Sequence, residues 1–202
     1  INTYRSIKAR PKKPEDFTDE QWAKLLFEKV EPLKPIEYDH RKTNKAFEVD
    51  FFDIHVNSSG YSRKTVMDKV EEMRSYIVNN SIAKVYIVFG GDFLHVNDTN
   101  YKTVAGTQLT LVGSAYEMVR EAESLATYII ERLSVVESEV LWVLGNHSDL
   151  PEYQLFSKLK LKFKLSKHIK FHVDESPYKA YVYGNQFVMV SHGNISINQL
   201  RN

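Results

Sequence analysis

The chain has no cysteine among its 202 residues. Disulfides and thiolate metal ligands are therefore excluded, and a reducing, cytoplasmic setting is the expectation. Long apolar runs are missing too: none approaches the roughly 20 residues needed to span a bilayer, so no membrane partner is expected. Nor is there a surplus of either charge. Lys and Arg number 27 against 26 Asp and Glu, a formal net charge of +1. That balance gives no general affinity for polyanions, so a nucleic-acid contact would need a local patch. Repeats and low-complexity tracts are absent. What remains, 43% hydrophobic and 26% charged residues, is the composition of a globular domain able to bury a large core.

Two regions separate by pattern. Residues 1–45 read as an N-terminal arm with a short helix. Its residues 5–14 are basic and proline-containing, and Thr18-Asp19-Glu20-Gln21 is a capping-box pattern. The helix it opens runs to about Val30, with Trp22, Leu25, Leu26 and Val30 on one side, and Pro32 and Pro35 end it. Such a face usually meets its own core, so the arm is expected to pack or to link. Residues 46–202 then alternate. Strands are predicted over 46–52, 84–89 and 140–144, and helices over 62–78, 113–133 and 152–165. Three short strands follow, over 169–173, 180–183 and 187–190. This order predicts an α/β sandwich, parallel in the middle.

Four stretches share one design, an apolar run that stops on Asp, Asn or His. They end in Asp53-Ile54-His55, in Gly90-Gly91-Asp92 with His95 beyond it, in Gly145-Asn146-His147, and in Ser191-His192-Gly193. In an open α/β sheet the C-terminal edge of the strands is where ligands bind. Asp53 and His55, two apart at a strand end, would project to the same side. Gly90-Gly91 would let an ion or a phosphate approach the backbone. Taken singly, each residue is more often a cap or turn former. Caps have no reason to follow four buried strands in order, so the set points to a metal site. Oxygen and imidazole donors without sulfur suit Mn, Fe, Zn or Ni, and the mix does not choose among them. A carboxylate between two such clusters could bridge metals about 3.5–4 Å apart, the arrangement that activates water for attack on phosphorus.

Asp-x-His, Gly-Asp, Gly-Asn-His and His-Gly, in that order, resemble the calcineurin-like metallophosphoesterase superfamily over about residues 46–194. The resemblance implies a four-layer α-β-β-α sandwich and two divalent metal ions, Mn foremost, with Fe, Zn, Ni or Mg as alternatives. Asp53 and His55 would bind the first metal, Asp92 would bridge both, and Asn146 and His192 would bind the second. His147 would be catalytic, stabilising the phosphoryl oxygens or protonating the leaving group, and a metal-bridging hydroxide would be the nucleophile. Within the superfamily, Gly-Gly-Asp-Phe-Leu-His resembles the Gly-Asp-Leu-Phe-His signature of the SbcD-type DNA repair nucleases. The tract 92–108, with His95, Asn97 and Gly106-Thr107-Gln108, is similar to phosphoesterases carried by bacteriophages. His95 would then lie near the site, contacting substrate or an inner ligand. The function implied is hydrolysis of phosphodiesters, most simply in DNA. A phosphomonoesterase, a small-nucleotide hydrolase and a non-catalytic scaffold of the same fold are the alternatives. Homodimerisation and an ATPase partner are further implications.

Two features depart from the family pattern. Its closing Gly-His-x-His does not occur in the 202 residues, so the domain is expected to be truncated at its C-terminal end. Gly-Asn-His is followed by Ser148 and only then by Asp149, where Asp or Glu usually comes at once. The orientation of His147 is the point this raises. A basic run also stands out, with Lys158, Lys160, Lys162 and Lys164 between Leu159, Leu161, Phe163 and Leu165. By period it is a strand; Leu155, Phe156, Leu159 and Phe163 also fit a helix, which the resemblance favours. Lys160 and Lys164 are the candidate phosphate contacts, a solvated basic face being the plain alternative. His168 and His172 are expected to make local hydrogen bonds, and His40 to be solvated.

Overall fold

A computed structural model describes residues 30–193. The helix expected to open at Thr18 lies outside the described residues. The chain divides into two units, Ile1–Glu31 and Pro32–Asn202, so residues 32–45 belong to the second unit rather than to a separate arm. They form an extended strap. Leu33 N donates to Lys162 O (2.8 Å), Ile36 N to Ser166 Oγ (3.0 Å), Asp39 N to Val135 O (2.8 Å) and Arg41 Nη1 to Ile77 O (2.9 Å). Leu33 and Ile36 also pack on the core. Proline ends a helix without preventing an extended segment from docking.

Four strands, β1 (Ala46–Phe51), β2 (Lys84–Phe89), β3 (Glu137–Trp142) and β4 (Ile169–His172), form a parallel sheet in the order β1-β2-β3-β4. Three helices, α1 (Arg63–Asn79), α2 (Ala115–Leu133) and α3 (Asp149–Lys162), connect them. All three pack into one core against the sheet, as right-handed connections between consecutive parallel neighbours would have it. One core accordingly joins Val85, Ile87 and Phe89 of β2 to Val70 and Ile77 of α1, Met118 and Leu125 of α2, and Leu155 and Phe156 of α3. Each such fully buried side chain contributes about 1.5–3 kcal/mol. The alternate residues Tyr86, Val88 and Leu141 face the other way. There they meet Tyr181, Val188 and Val190 of an antiparallel hairpin, β5 (Tyr178–Tyr183) and β6 (Gln186–Ser191). β2 is therefore buried on both faces, as its apolar run implied. The architecture is α/β: a helix layer, a parallel sheet and a two-stranded sheet.

Local chemistry sets the element ends. Ser62 caps α1 by accepting from Thr65 N, and Ser114 with Glu117 forms a capping box, so α2 starts just after Gly113. β3 begins earlier than its apolar run, because Ser138 is buried and Glu139 is paired with Lys84. The lysine run lies largely in α3, which starts at Asp149 and ends at Lys162.

Candidate metal centre

The strands β1, β2 and β3 end side by side, and the segments leaving them stay together. Asp53 N donates to Gly91 O (3.3 Å), His55 N to Asp92 O (3.0 Å) and Val56 N to Phe93 O (2.9 Å). Asp53, His55 and Asp92 all adopt left-handed backbone, with φ of 51°, 46° and 52°. Each costs of order 1–3 kcal/mol and persists only where the surroundings over-determine it. Strand alternation is thus not what aligns Asp53 with His55. β1 stops at Phe51, and a left-handed turn brings the pair together, with His55 Nε2 3.6 Å from Asp53 Oδ1.

Two glycines let the loops touch. A Cβ on Gly91 would lie 2.7 Å from the Cα of Gly145, and one on Gly145 would lie 2.1 Å from Asp92 Oδ1. The space they leave admits the Asp92 carboxylate, which is 2% exposed. Its Oδ1 accepts from the main-chain N–H of Asn146 and of His147, both at 2.8 Å. Its Oδ2 lies 3.8 Å from His147 Nε2 and 3.4 Å from His192 Nε2. His192, which follows β6 from the opposite sheet, is also 3.4 Å from Asp53 Oδ1.

The donor atoms fall into two groups, His55, His95 and His147 in one and Asp53, Asp92 and His192 in the other. Within each group they lie no more than 4.8 Å apart. Each group can hold a metal ion. No model of a known family matches the chain, and no curated protein matches it.

Six of the seven side chains expected at a metal site therefore meet, but not in the expected partition. His192 stands with Asp53, and His95 stands with His55, their Nδ1 atoms 3.4 Å apart. Asn146 contributes its main-chain N–H to Asp92, and the residue is exposed. His147 is oriented by a main-chain carbonyl rather than by a carboxylate following it. Its Nδ1 lies 2.9 Å from His95 O; a carbonyl only accepts, so Nδ1 carries the proton and Nε2 is turned to Asp92.

Burial and, next, the neighbouring His147 lower the pKa of both His55 and His95. Burial therefore favours the neutral imidazole, the form in which a ring nitrogen can bind a cation. Among the described residues, the ion-pair partners of Asp53 and Asp92 are imidazoles, not Lys or Arg. His192 Nδ1 is buried with no protein partner. Carboxylate oxygen with neutral imidazole nitrogen suits a divalent first-row cation, so the residues fit the expected ions.

Lys160 and Lys164 do not join the site. Both are exposed, and α3 carries Lys160 about 16 Å along its axis from Asp149, away from the metal groups. Lys158 and Lys162 pair instead with Glu123, at 2.6 and 3.5 Å. His168 bonds to Ser134 O (3.0 Å), His172 to Glu139 (2.7 Å), and His40 is exposed, all as expected. One residue escaped the sequence reading. Glu152 is 1% exposed directly behind the site, and burial pushes its carboxyl up to about 7. The signal was present: with Leu155, Phe156 and Leu159 it occupies the i, i+3, i+4, i+7 face of α3, a lone carboxylate on an apolar stripe.

Proposed function

We propose that this domain is a metal-dependent phosphodiesterase acting on DNA. The observation that carries the proposal is the convergence of two donor groups, from four separate strand ends, around the shared surroundings of Asp92. Asp53, Asp92 and His192 in one group, and His55 and His95 in the other, would hold two divalent cations, Mn foremost, which would supply Lewis acidity and lower the pKa of water. Asp92 presents Oδ2, because its Oδ1 is already held by two amides. His147, with Nδ1–H spent on His95 O, has Nε2 left to hold a proton for the leaving oxygen. Four-layer sandwich architecture is part of the same reading. Its outer helix layer would cover the hairpin face that exposes Val182, Phe187 and Met189. Preference for DNA rests on the resemblance of residues 90–95 to DNA repair nucleases, and no phosphate contact is assigned to Lys160 or Lys164.

The test is hydrolysis of single-stranded DNA, duplex DNA and bis(p-nitrophenyl) phosphate with added Mn²⁺, alongside calorimetric titration of Mn²⁺ into the chain. Cleavage that requires Mn²⁺ and disappears in Asp92→Ala is the expected result. A chain that neither takes up Mn²⁺ nor cleaves any of the three would end the proposal. Uptake without turnover would favour the scaffold.

A further inference from the structure

We propose that Glu152 is a positioning residue of this centre, setting the separation of His95 and His147 by holding their chain neighbours Leu94 and Ser148. Glu152 Oε1 accepts from Leu94 N at 2.8 Å and from Ser148 Oγ at 2.7 Å, while Oε2 accepts from Trp142 Nε1 at 3.0 Å. Three segments thus end on one buried carboxylate: the loop after β2, the strand β3 and the turn into α3. Each loop contact is one residue from an imidazole. Leu94 precedes His95, Ser148 follows His147, and His147 Nδ1 closes the circuit on His95 O at 2.9 Å. Leu94 also bridges to Val56, the neighbour of His55, so the same anchor reaches the third imidazole.

Ordinary core packing does not explain this arrangement. A carboxylate without a cationic partner is costly to bury, and Leu or Met would fill the position at no such cost. Among the described residues no Lys or Arg bonds to Glu152; its three partners are neutral donors. Ser148, the N-cap residue of α3, makes no side-chain capping bond. Its hydroxyl goes to Glu152 instead, so part of the helix-capping stabilisation is given up for a tie to the site. This also accounts for Ser148 where the family pattern has a carboxylate. The acid lies one helical turn further on and acts through the serine. Burial raises its pKa, which agrees with a carboxylate held in place by hydrogen bonds alone.

The catalytic consequence rests on the phosphodiesterase reading, while the geometric one is measurable in metal-free protein. Glu152→Gln keeps the size but puts a donating NH2 in place of one of the two acceptor oxygens, so either the Leu94 and Ser148 donors or the Trp142 donor lose their acceptor. In proton–nitrogen correlation spectra of the histidine rings, the Nδ1–H of His147 should shift and exchange about tenfold faster with solvent. Far-UV circular dichroism should stay as in the parent chain. With Mn²⁺ and bis(p-nitrophenyl) phosphate, kcat should fall about tenfold with KM within about twofold. Ser148→Ala removes the tie to Glu152 together with the Ser148 Oγ contact to Leu94 O at 3.2 Å, and should move the same ring signal, which covers the case in which Glu152→Gln does not fold. Leu155→Ala, a cavity on the same helix face, is the control, expected to lower Tm without touching the ring signal. If Glu152→Gln and Ser148→Ala behave like Leu155→Ala, losing stability with unchanged His147 resonances, Glu152 is only core and the proposal is overturned. A parent chain inactive on every diester, in which the ring signal still responds, would refute the phosphodiesterase and leave the positioning role standing.

Discussion

The two ends of the parallel sheet handle charge in opposite ways. Near the start of β2 and β3, Lys84 lies 2.5 Å from Glu139 and 3.5 Å from Glu137. Glu139 is in turn 2.7 Å from His172, and Lys170 lies 3.9 Å from Glu137. Cation and anion alternate. Burial would raise the Glu139 carboxyl, but Lys84 and His172 hold it below its usual value. Beyond the far ends of β1, β2, β3 and β6 stand two carboxylates and four imidazoles, with no Lys or Arg ion-paired to the carboxylates among the described residues. A cluster that neutralises itself is holding strands together. One made of carboxylates and imidazoles is a candidate holder of a cation.

Breaking the contrast at the glycine crossing should have the largest effect. Gly145→Ala drives a methyl to within 2.1 Å of Asp92 Oδ1. It should cost about 1–3 kcal/mol of stability and weaken Mn²⁺ binding about 10–100-fold, read by urea unfolding and calorimetric titration. Unchanged binding would mean that the Asp92 orientation is not what the centre needs.

The next effect concerns pH. The folded pKa of Glu152, about 7, stands above its unfolded value of 4.5. Its contribution to stability is fully present below pH 4.5 and is lost as pH rises through 7. Urea midpoints should therefore decline over that window in the parent chain and flatten in Glu152→Gln. A parallel decline in both would assign the slope to another group.

At the self-neutralised end, Lys84→Met should destabilise by about 1–2 kcal/mol, since it leaves Glu139 half-buried without its cation. Mn²⁺ affinity should not change. A loss of affinity there would erase the division of labour between the two ends. The smallest effect is expected from Lys160→Ala combined with Lys164→Ala, with DNA cleavage within about twofold of the parent. A selective tenfold loss on DNA, with bis(p-nitrophenyl) phosphate unaffected, would return that basic face to the substrate path.

Much of the fold was legible because periodicity is local. The apolar runs located β1 and β2, and the 3.6-residue spacing located α1 and α2 to within two residues at either end. That six donor side chains would come together was legible as well, since ligand-type residues ended four runs in order. Their grouping was not. It depends on left-handed turns at Asp53, His55 and Asp92, which arise from hydrogen bonds to a loop some forty residues away in the chain. Residues 32–45 were expected to pack or to link, but without periodicity only their distant partners, Ile77, Val135, Lys162 and Ser166, show where they dock.

What the sequence determined by itself was the set of buried strands, the helices between them and the kinds of donor atom at the strand ends. These follow from hydrophobic patterning and side-chain chemistry, which need no distant partner. The tertiary structure alone decided which donors face one another, that Lys160 and Lys164 stand far from them, and that Glu152 ties the His95 and His147 loops together. Contacts between segments far apart in the chain set each of these, and no local pattern encodes a distance in space.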